Sequence, residues 1–197
     1  EWQVTGGAHG LAWHLGMPAV ALLLPAVGPE LAGLLPEGFV AEVSPVAVDW
    51  WRAAARRLRR GRLLAIDYGF SAEGGLRPDR PRGSLRGFVR HHPSEDLLAN
   101  PGEQDLTADV NFTAMEEAGR AEGLGVGVLA RQSKFLTQIL ARTQVKPEGF
   151  GEWTEKSSRQ FQTLTHPEHL GRSFYWLIQG KGPLPLDLEV RSSQKNV

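Results

Sequence analysis

The segment Arg62–Asp67 constrains the fold more than any other stretch, because four apolar residues in a row precede an acid. An apolar run without polar alternation is typical of a strand buried on both faces, as in a parallel sheet that helices cover on each side. Before it, Val46–Arg60 carries apolar residues at spacings of three and four and predicts a helix. Phe39–Val43 alternates apolar and polar residues and predicts a strand. Strand, helix and strand make a right-handed βαβ unit.

The ends of the predicted helix are marked by residues that suit a helix start and a helix stop. Ser44 is placed to cap the amino end, and Pro45 suits the first helical position, where its missing N–H costs nothing. Gly61 suits the residue just after the end. The helix is therefore predicted to begin near Pro45 and to end before Gly61.

Other segments also carry recognisable patterns. Glu1–Val4 and Leu11–Leu15 are extended candidates with glycines between them and predict a hairpin or a looser turn. Asp105–Glu122 has helical character, and Thr107 or Asp109 could cap it. The remaining predictions are strands at Leu124–Ala130 and Phe174–Gln179, a helix beginning over Phe135–Leu140, and a loop plus helix over Thr143–Thr163.

The length of 197 residues suits a single domain. We expect an irregular hairpin and linker region at 1–38, an α/β core at 39–179 and a frayed tail at 180–197. Phe70–Pro101 shows no period and is predicted to be a long loop, and loops of that length are more often functional than idle.

Composition excludes several classes of function. The 22 basic and 22 acidic residues balance, which removes the electrostatic argument for nucleic acid as the main partner. The absence of cysteine excludes disulfides, thiolate nucleophiles and cysteine-bound zinc. No apolar run is long enough for a membrane span, and no signal peptide is visible. The first residue, Glu1, is not an initiator methionine, which we interpret as a sign that the chain is a piece of a longer protein.

Asp67 and Tyr68 are the first candidate site residues, because ligands of open α/β sheets bind at the carboxyl ends of strands. The alternative, that Asp67 caps a turn and Tyr68 only packs, is equally open from spacing alone. Further polar residues that could converge on the same rim are Arg86, His91, Asp105, Thr107 and Asp109.

None of three other sequence patterns predicts a cofactor loop, a metal site or a hydrolase triad. Gly123–Gly127 has the Gly-x-Gly-x-Gly pattern of a cofactor loop, but it follows a predicted helix and precedes a strand, so we interpret it as a helix end. His91 and His92 lack a third ligand at a recognisable spacing for a metal. No serine occupies a Gly-x-Ser-x-Gly elbow, so a hydrolase triad has no nucleophile to start from.

Three motifs in order carry a resemblance to a known family: Gly61–Gly69, Leu85–His91 and Pro101–Phe112. Together they resemble the MidA family of S-adenosylmethionine-dependent methyltransferases, which includes the mitochondrial arginine methyltransferase that assists complex I assembly. Further support comes from Leu35–Gly38 with Glu42–Pro45, from Phe135-Leu136 and from His166–Phe174. The similarity runs from about Leu34 to Leu177.

The resemblance implies the carboxyl-terminal part of a Rossmann-like class I methyltransferase sheet, an α/β fold with an antiparallel last strand and long loop insertions. It implies S-adenosyl-L-methionine as cofactor and a protein arginine as substrate, whose guanidinium nitrogen attacks the sulfonium methyl. Asp67, Tyr68 and His91 are the catalytic candidates. Carboxylates fix the direction of a guanidinium nitrogen by bidentate pairing, so Asp105 and Asp109, with Thr107, are the substrate-binding candidates. Arg86 is also a substrate-binding candidate, and it is expected to hold a carboxylate within the site.

The sequence also departs from the family. Members begin with a half that carries a glycine-rich adenosylmethionine loop and an acidic motif, and Glu1–Leu34 supplies neither. We therefore expect this chain to be the substrate-side half, inactive alone, with the cofactor bound mainly by a half it does not contain.

Two other functions remain open: a non-catalytic assembly or docking module on a methyltransferase scaffold, and a small-molecule methyltransferase. The expected partner is a protein substrate, such as a respiratory-complex subunit, with no nucleic acid and no membrane span. A homodimer is open, and the expected location is the bacterial cytoplasm or, in a eukaryote, the mitochondrial matrix.

Overall fold

The chain divides into two compact units. A computed structural model describes residues 1–8, 10–17, 27, 30, 33–71, 81–125, 127–145 and 153–182. The first unit comprises Glu1–Pro45 and Glu73–Asp109, and the second comprises Val46–Ala72 and Val110–Val197. Residues 9, 18–26, 28–29 and 31–32 of the predicted hairpin and linker region, and residues 183–197 of the predicted tail, lie outside the described residues. The single-domain organisation stays a prediction.

The first unit begins with an antiparallel hairpin of β1 (Trp2–Gly7) and β2 (Gly10–Leu15). The sequence prediction of a hairpin here is confirmed. Trp2 pairs with Leu15 and Val4 with Trp13. Because alternate residues of a strand share a face, these apolar side chains all lie on one face of the hairpin.

A three-stranded antiparallel sheet forms the rest of the first unit. It contains β4 (Arg86–Val89), β5 (His92–Ser94) and β6 (Asp105–Thr107), in the order β5-β4-β6. The prediction of a loop over Phe70–Pro101 is thus wrong for β4 and β5, and residues 72–80 lie outside the described part.

The strand predicted at Phe39–Val43 is also wrong, because the described residues give this segment no ladder. The Val40 N–H donates to the carbonyl oxygen of Pro81 at 2.8 Å, and this single bond does not make a strand.

A four-stranded mixed sheet organises the second unit. It contains β3 (Gly61–Phe70), β7 (Val110–Asn111), β8 (Val128–Arg131) and β9 (Phe174–Lys181), in the order β7-β3-β9-β8. Strand β3 is parallel to β7 and antiparallel to β9, and β8 is antiparallel to β9. Strands β3 and β8 therefore run in one direction with β9 reversed between them. The prediction of a mixed α/β sheet with an antiparallel last strand is confirmed.

Helices α1 (Pro45–Arg57), α2 (Phe112–Ala121), α3 (Gln132–Val145) and α4 (Glu155–Thr165) accompany this sheet. Helix α1 starts at Pro45 as predicted but ends three residues before the predicted Arg60, and Gly61 is the first residue of β3. Helix α4 provides the helix expected within Thr143–Thr163, although it continues to Thr165.

The helix predicted over Asp105–Glu122 is wrong in its first part. Strands β6 and β7 occupy residues 105–107 and 110–111, and α2 begins only at Phe112. Its cap is Asn111, whose side-chain oxygen accepts from the Ala114 N–H at 3.1 Å. Thr107 and Asp109 cannot cap this helix, because Thr107 pairs with β4 and the Asp109 carboxylate binds Arg86.

The strands at the end of the chain differ from the prediction mainly in length. Strand β8 begins at Val128, four residues after the predicted Leu124. The predicted strand Phe174–Gln179 is confirmed as β9, which continues to Lys181. Two residues of the predicted tail, Gly180 and Lys181, thus belong to the sheet, and residues 183–197 lie outside the described part.

Strand β3 lies inside the sheet, but only one of its faces is well covered. Leu63 and Ala65 pack on the core cluster of Trp51, Phe112, Met115, Tyr175 and Leu177. On the other face Phe135 of α3 stacks on Trp176 of β9, with ring centroids 4.4 Å apart. Leu64 and Ile66 on that same face are 52% and 41% exposed. The expectation that this strand is buried on both faces is wrong, because the helices described there cover β9 and not β3.

Within the described part of the chain, no helix has the length and apolar character that a membrane crossing requires.

Candidate functional site

The turn between β4 and β5 places His91 on the first unit. Arg90 and His91 have φ angles of 49° and 67°, and the pair Val89–His92 flanks them. Two consecutive residues at positive φ define a type I′ hairpin turn, which asparagine and glycine normally occupy. Non-glycine residues in that conformation store backbone strain, and such strain concentrates at functional sites. This turn is therefore a structural reason, independent of sequence similarity, to keep His91 as a candidate.

An open pocket of about 680 Å³ brings three of the predicted site residues together. His91, Asp105 and Thr107 line it with Phe88, Gln104 and Leu106. Asp105 and Thr107 are alternate residues of β6 and share one face of that strand. An imidazole, a carboxylate and a hydroxyl thus surround one space, and this set can hold a cationic or hydrogen-bonding group.

Arg86 and Asp109 form an ion pair beside this sheet. The Arg86 Nη2 donates to Asp109 Oδ1 at 2.7 Å, and the Asp109 side chain is only 6% exposed. Arg86 thus holds a carboxylate, although the predicted substrate-binding roles of both residues stay predictions.

The carboxylate of Glu42, which was not among the predicted site residues, connects two segments of the first unit. Glu42 accepts from the Ser84 N–H, the Ser84 hydroxyl and the Leu85 N–H at 2.8, 2.6 and 3.1 Å. The Ser84 Oγ in turn accepts from the Asp109 N–H at 2.8 Å. Glu42 belongs to the motif Glu42–Pro45 that carried the family resemblance, and that membership was its only signal. Its partner Ser84 is 42 positions away and could not be inferred.

Asp67 and Tyr68 belong to the second unit, whereas the other five candidates belong to the first. Because β3 continues to Phe70, both residues lie within the strand, three and two residues before its last residue. Asp67 Oδ1 accepts from the adjacent Tyr68 N–H at 2.8 Å. The Tyr68 ring packs edge-on against Phe174, with centroids 5.7 Å apart. Their predicted catalytic roles stay predictions.

The described residues lack the element that an adenosylmethionine-type donor needs. In nucleotide-binding α/β folds, a glycine-rich turn joins the carboxyl end of a strand to the next helix. Strand β7 runs directly into α2 and β8 directly into α3, and neither junction contains glycine. Gly123 follows α2 with φ of 81°, which agrees with its interpretation as a helix end. The described residues therefore provide no glycine-rich turn for S-adenosyl-L-methionine and do not fit this donor. They also contain no group of three His, Asp or Glu side chains that could hold a metal ion.

The strand order β7-β3-β9-β8, with β9 reversed between two codirectional strands, is the arrangement expected of the carboxyl half of a Rossmann-like methyltransferase sheet. Residues 5–129 match the family described as "Putative S-adenosyl-L-methionine-dependent methyltransferase". The chain belongs to this family of S-adenosyl-L-methionine-dependent methyltransferases.

Two solved structures from Burkholderia thailandensis share this fold. One superposes with a TM-score of 0.75 at 27% identity over 96% of this chain and 51% of its own. The other, a superfamily member bound to S-adenosyl-homocysteine, gives 0.75 at 26% identity over 96% and 49%. This chain therefore spans about half the length of these solved chains.

Among curated proteins, the chain is similar to the mitochondrial protein arginine methyltransferase NDUFAF7 of Rattus norvegicus and Mus musculus. The identities are 28% and 31% over 120 residues, which is 59% of this chain and 26% of each relative. The matched part is thus about a quarter of those relatives.

Proposed function

We propose that this chain supplies the substrate-side half of a methyltransferase that acts on arginine residues of proteins. The family membership and the names of the mammalian relatives support this assignment. The donor, S-adenosyl-L-methionine, supplies the methyl group, and a segment outside the described residues binds most of it.

The observation that carries the proposal is the incomplete coverage of β3. Strand β9 pairs with Gly61–Tyr68 on one edge, whereas β7 pairs on the other edge only with Gly69 and Phe70. Residues 61–68 of that second edge therefore have no partner strand among the described residues. Exposed Leu64 and Ile66 add an uncovered apolar face. An interior strand of a methyltransferase sheet needs a neighbour and a covering helix here, and a donor-binding half would supply both.

The residues of the 680 Å³ pocket are suited to a guanidinium. The Asp105 carboxylate can accept two parallel N–H bonds and fix the orientation of the guanidinium plane. Thr107 offers a further acceptor on the same face of β6, and His91 can accept a proton from the nitrogen. Asp67 and Tyr68 remain the candidates on the second unit.

A chimaera tests the proposal, with the amino-terminal half of the Burkholderia relative fused ahead of this chain. Calorimetric titration with S-adenosyl-homocysteine should give no heat with this chain alone and clear binding with the chimaera. Leu64→Asp should weaken that binding, because it puts a charge on the face that the added half covers. Leu34→Asp, at a side chain that is 80% exposed in the first unit, is the matched control.

Three results would contradict the proposal. One is a chimaera that does not bind S-adenosyl-homocysteine. Another is binding of S-adenosyl-homocysteine by this chain alone as tightly as by the chimaera. The third is a chimaera that binds the ligand but methylates no arginine in peptides or proteins.

The same chimaera distinguishes the two alternative functions. A docking module, which the exposed apolar face of the β1–β2 hairpin supports, predicts a chimaera that binds the ligand but methylates neither peptides nor metabolites. A small-molecule methyltransferase predicts methylation of metabolites but not of peptides. A respiratory-complex substrate, a homodimer, and a cytoplasmic or mitochondrial-matrix location stay predictions.

A further inference from the structure

We propose that a groove of the first unit binds an extended, mainly apolar segment of the protein substrate through a single arginine side chain. We call it the tryptophan groove, and its apolar walls are Trp2, Trp13, Val40, Leu85, Phe88 and Leu97. The identification of this segment as part of a substrate rests on the proposed function. The binding chemistry follows from the residues that line the groove.

The groove is large and mainly apolar. Its volume is about 1,120 Å³, more than the roughly 300–1,000 Å³ of a typical small-molecule pocket. The hairpin contributes Trp2 and Trp13, and the β4–β5 region contributes Leu85, Phe88 and Leu97. Both walls belong to the first unit. A space of this size and lining suits several residues of a peptide better than a compact metabolite.

The two tryptophans leave indole surface open to a ligand. Trp2 and Trp13 pack edge to face, with ring centroids 6.5 Å apart and an interplanar angle of 81°. They remain 54% and 45% exposed despite this contact. Two rings at such an angle offer an open indole face, which attracts a cation and stacks well with a planar guanidinium.

The charges around the groove favour a peptide ligand with one arginine over a ligand with several basic residues. Within the groove, Glu42 is occupied by Ser84 and Leu85, and Arg86 is paired with Asp109. The other ionic side chains of the lining are Glu95 and Arg82. Glu95 can pair with a guanidinium that rests on the indoles, whereas Arg82 repels additional basic residues. The complementary ligand is therefore a segment with one arginine among apolar residues. This arginine is separate from the methylated one, for which the pocket of His91, Asp105 and Thr107 is proposed.

Fluorescence anisotropy with a labelled peptide that carries one arginine between apolar residues tests this proposal, with no methyl donor present. Trp13→Ala should weaken binding about tenfold, because it removes the aromatic surface under the cation. Trp50→Ala is the matched control, since Trp50 is a 63% exposed tryptophan of the second unit, and it should change the affinity less than twofold. Trp13→Phe keeps an aromatic face and should retain most of the affinity, which separates lost recognition from lost folding.

Replacing the peptide arginine by uncharged citrulline should weaken binding severalfold, and Glu95→Gln should abolish most of that difference. Equal binding by Trp13→Ala and the unmodified chain, or equal binding of the arginine and citrulline peptides, would overturn the proposal. So would a dimer in sedimentation that Trp13→Ala dissociates, because a second copy would then occupy the groove. Since no donor is present, a chimaera that fails to bind S-adenosyl-homocysteine overturns the proposed function without affecting this result.

Discussion

Arg90 and His91 occupy a backbone conformation that neither residue favours, with φ of 49° and 67°. A left-handed conformation costs an L-residue roughly 1–2 kcal/mol, whereas glycine adopts it freely. We predict that Arg90→Asn with His91→Gly raises the free energy of unfolding of the first unit by about 1 kcal/mol or more, measured by urea denaturation. The same change should impair arginine methylation by the chimaera, because it removes the imidazole from the pocket.

Asn100→Gly is the control for this change. Asn100 also has positive φ, 44°, and it is exposed in a turn that does not line the His91 pocket. This variant should gain stability without losing activity. A His91→Gly protein that gains stability and stays fully active would remove His91 from the site.

Trp51 and Gln179 form a buried polar contact in the second unit. The indole N–H of Trp51 donates to Gln179 Oε1 at 2.7 Å, and the Gln179 amide donates to the Glu116 carbonyl oxygen at 2.9 Å. The two side chains are 1% and 0% exposed, so water cannot replace a lost partner. We predict that Gln179→Met lowers the free energy of unfolding by about 1–3 kcal/mol, because it leaves the indole N–H unsatisfied.

A double-mutant cycle measures this contact. Adding Trp51→Phe to Gln179→Met should cost less than the sum of the two single changes, because both hydrogen-bonding groups are then removed. Trp50→Phe at the neighbouring exposed position should change stability by a few tenths of a kcal/mol at most. Additive single changes would show that the hydrogen bond contributes nothing.

At the scale of elements, the junction of β3 and β7 depends on Gly69. A Cβ built there would collide with the Val110 carbonyl oxygen and lie 2.8 Å from Cε2 of Phe112. Neither atom can move cheaply, because one is backbone and the other belongs to the fully buried Phe112 of the core. We predict that Gly69→Ala destabilises the second unit by about 1–3 kcal/mol and speeds amide hydrogen exchange at Val110–Phe112.

Gly7→Ala is the matched control, because a Cβ at Gly7 meets no atom within 4 Å and the residue needs no positive φ. It should leave the second unit unchanged. Equal effects of the two substitutions would show that the close approach at Gly69 is unimportant.

An ion pair joins the last turn of α1 to the residue after α2. Arg56 Nε and Nη2 donate to the two carboxylate oxygens of Glu122 at 2.9 and 2.6 Å. The hydrogen bonds from Arg56, together with its charge, lower the pKa of the Glu122 carboxyl. The same hydrogen bonds, together with the charge of Glu122, raise the pKa of Arg56. A carboxyl with a lowered folded-state pKa contributes stability that is fully present above its unfolded pKa, about 4.3 for glutamate, and is lost as the pH falls through the lower folded value.

We therefore predict that the stability difference between the unmodified chain and Glu122→Gln is constant near neutral pH and disappears in acid. The difference should be small and should shrink with added salt, because the pair is exposed to solvent. Urea denaturation of both proteins across pH 3–7 measures it, and a difference that grows in acid would contradict the assignment.

The elements that the sequence predicted well are those with local signals. Pro45 marked the start of α1, the glycines between the tryptophans marked the hairpin, and the apolar run marked β3. The sequence did not predict which side chains would be covered. Leu64 and Ile66 have the composition of core residues, but their exposure depends on which helix lies over them. The alternation at Phe39–Val43 suited a strand, but a strand also needs a partner for its backbone groups.

The sequence identified candidate site residues, but it could not identify the contacts between segments that lie far apart in the chain. His91, Asp105 and Thr107 line one pocket, although they come from two separate motifs, Leu85–His91 and Pro101–Phe112. Glu42 and Ser84 contribute a contact across 42 positions, which no single sequence can reveal. Asp67 and Tyr68 belong to the other unit, so their role stays a prediction.

At the scale of the whole molecule, the two units differ in what holds them together. Among the described residues, all the buried hydrophobic side chains belong to the second unit: Trp51, Ala55, Phe112, Met115, Ala118, Leu124, Ala130, Phe135, Tyr175 and Leu177. The first unit depends instead on polar contacts such as Glu42 with Ser84 and Arg86 with Asp109, and on a two-stranded hairpin. Apolar burial is the dominant stabilising term in folding, whereas a lone hairpin is marginally stable.

This difference predicts that the first unit opens before the second. Amide hydrogen exchange should be fast in β1, β2 and β4–β6 and slow in β3 and β9, because local opening is easiest where few apolar contacts are lost. The arginine peptide of the tryptophan groove should slow exchange in β1, β2 and β4 in the unmodified chain but not in Trp13→Ala, since a ligand stabilises only the form that binds it. Uniform protection across both units would show that they unfold together, and slower exchange in β1 than in β9 would reverse the assignment of the stable unit.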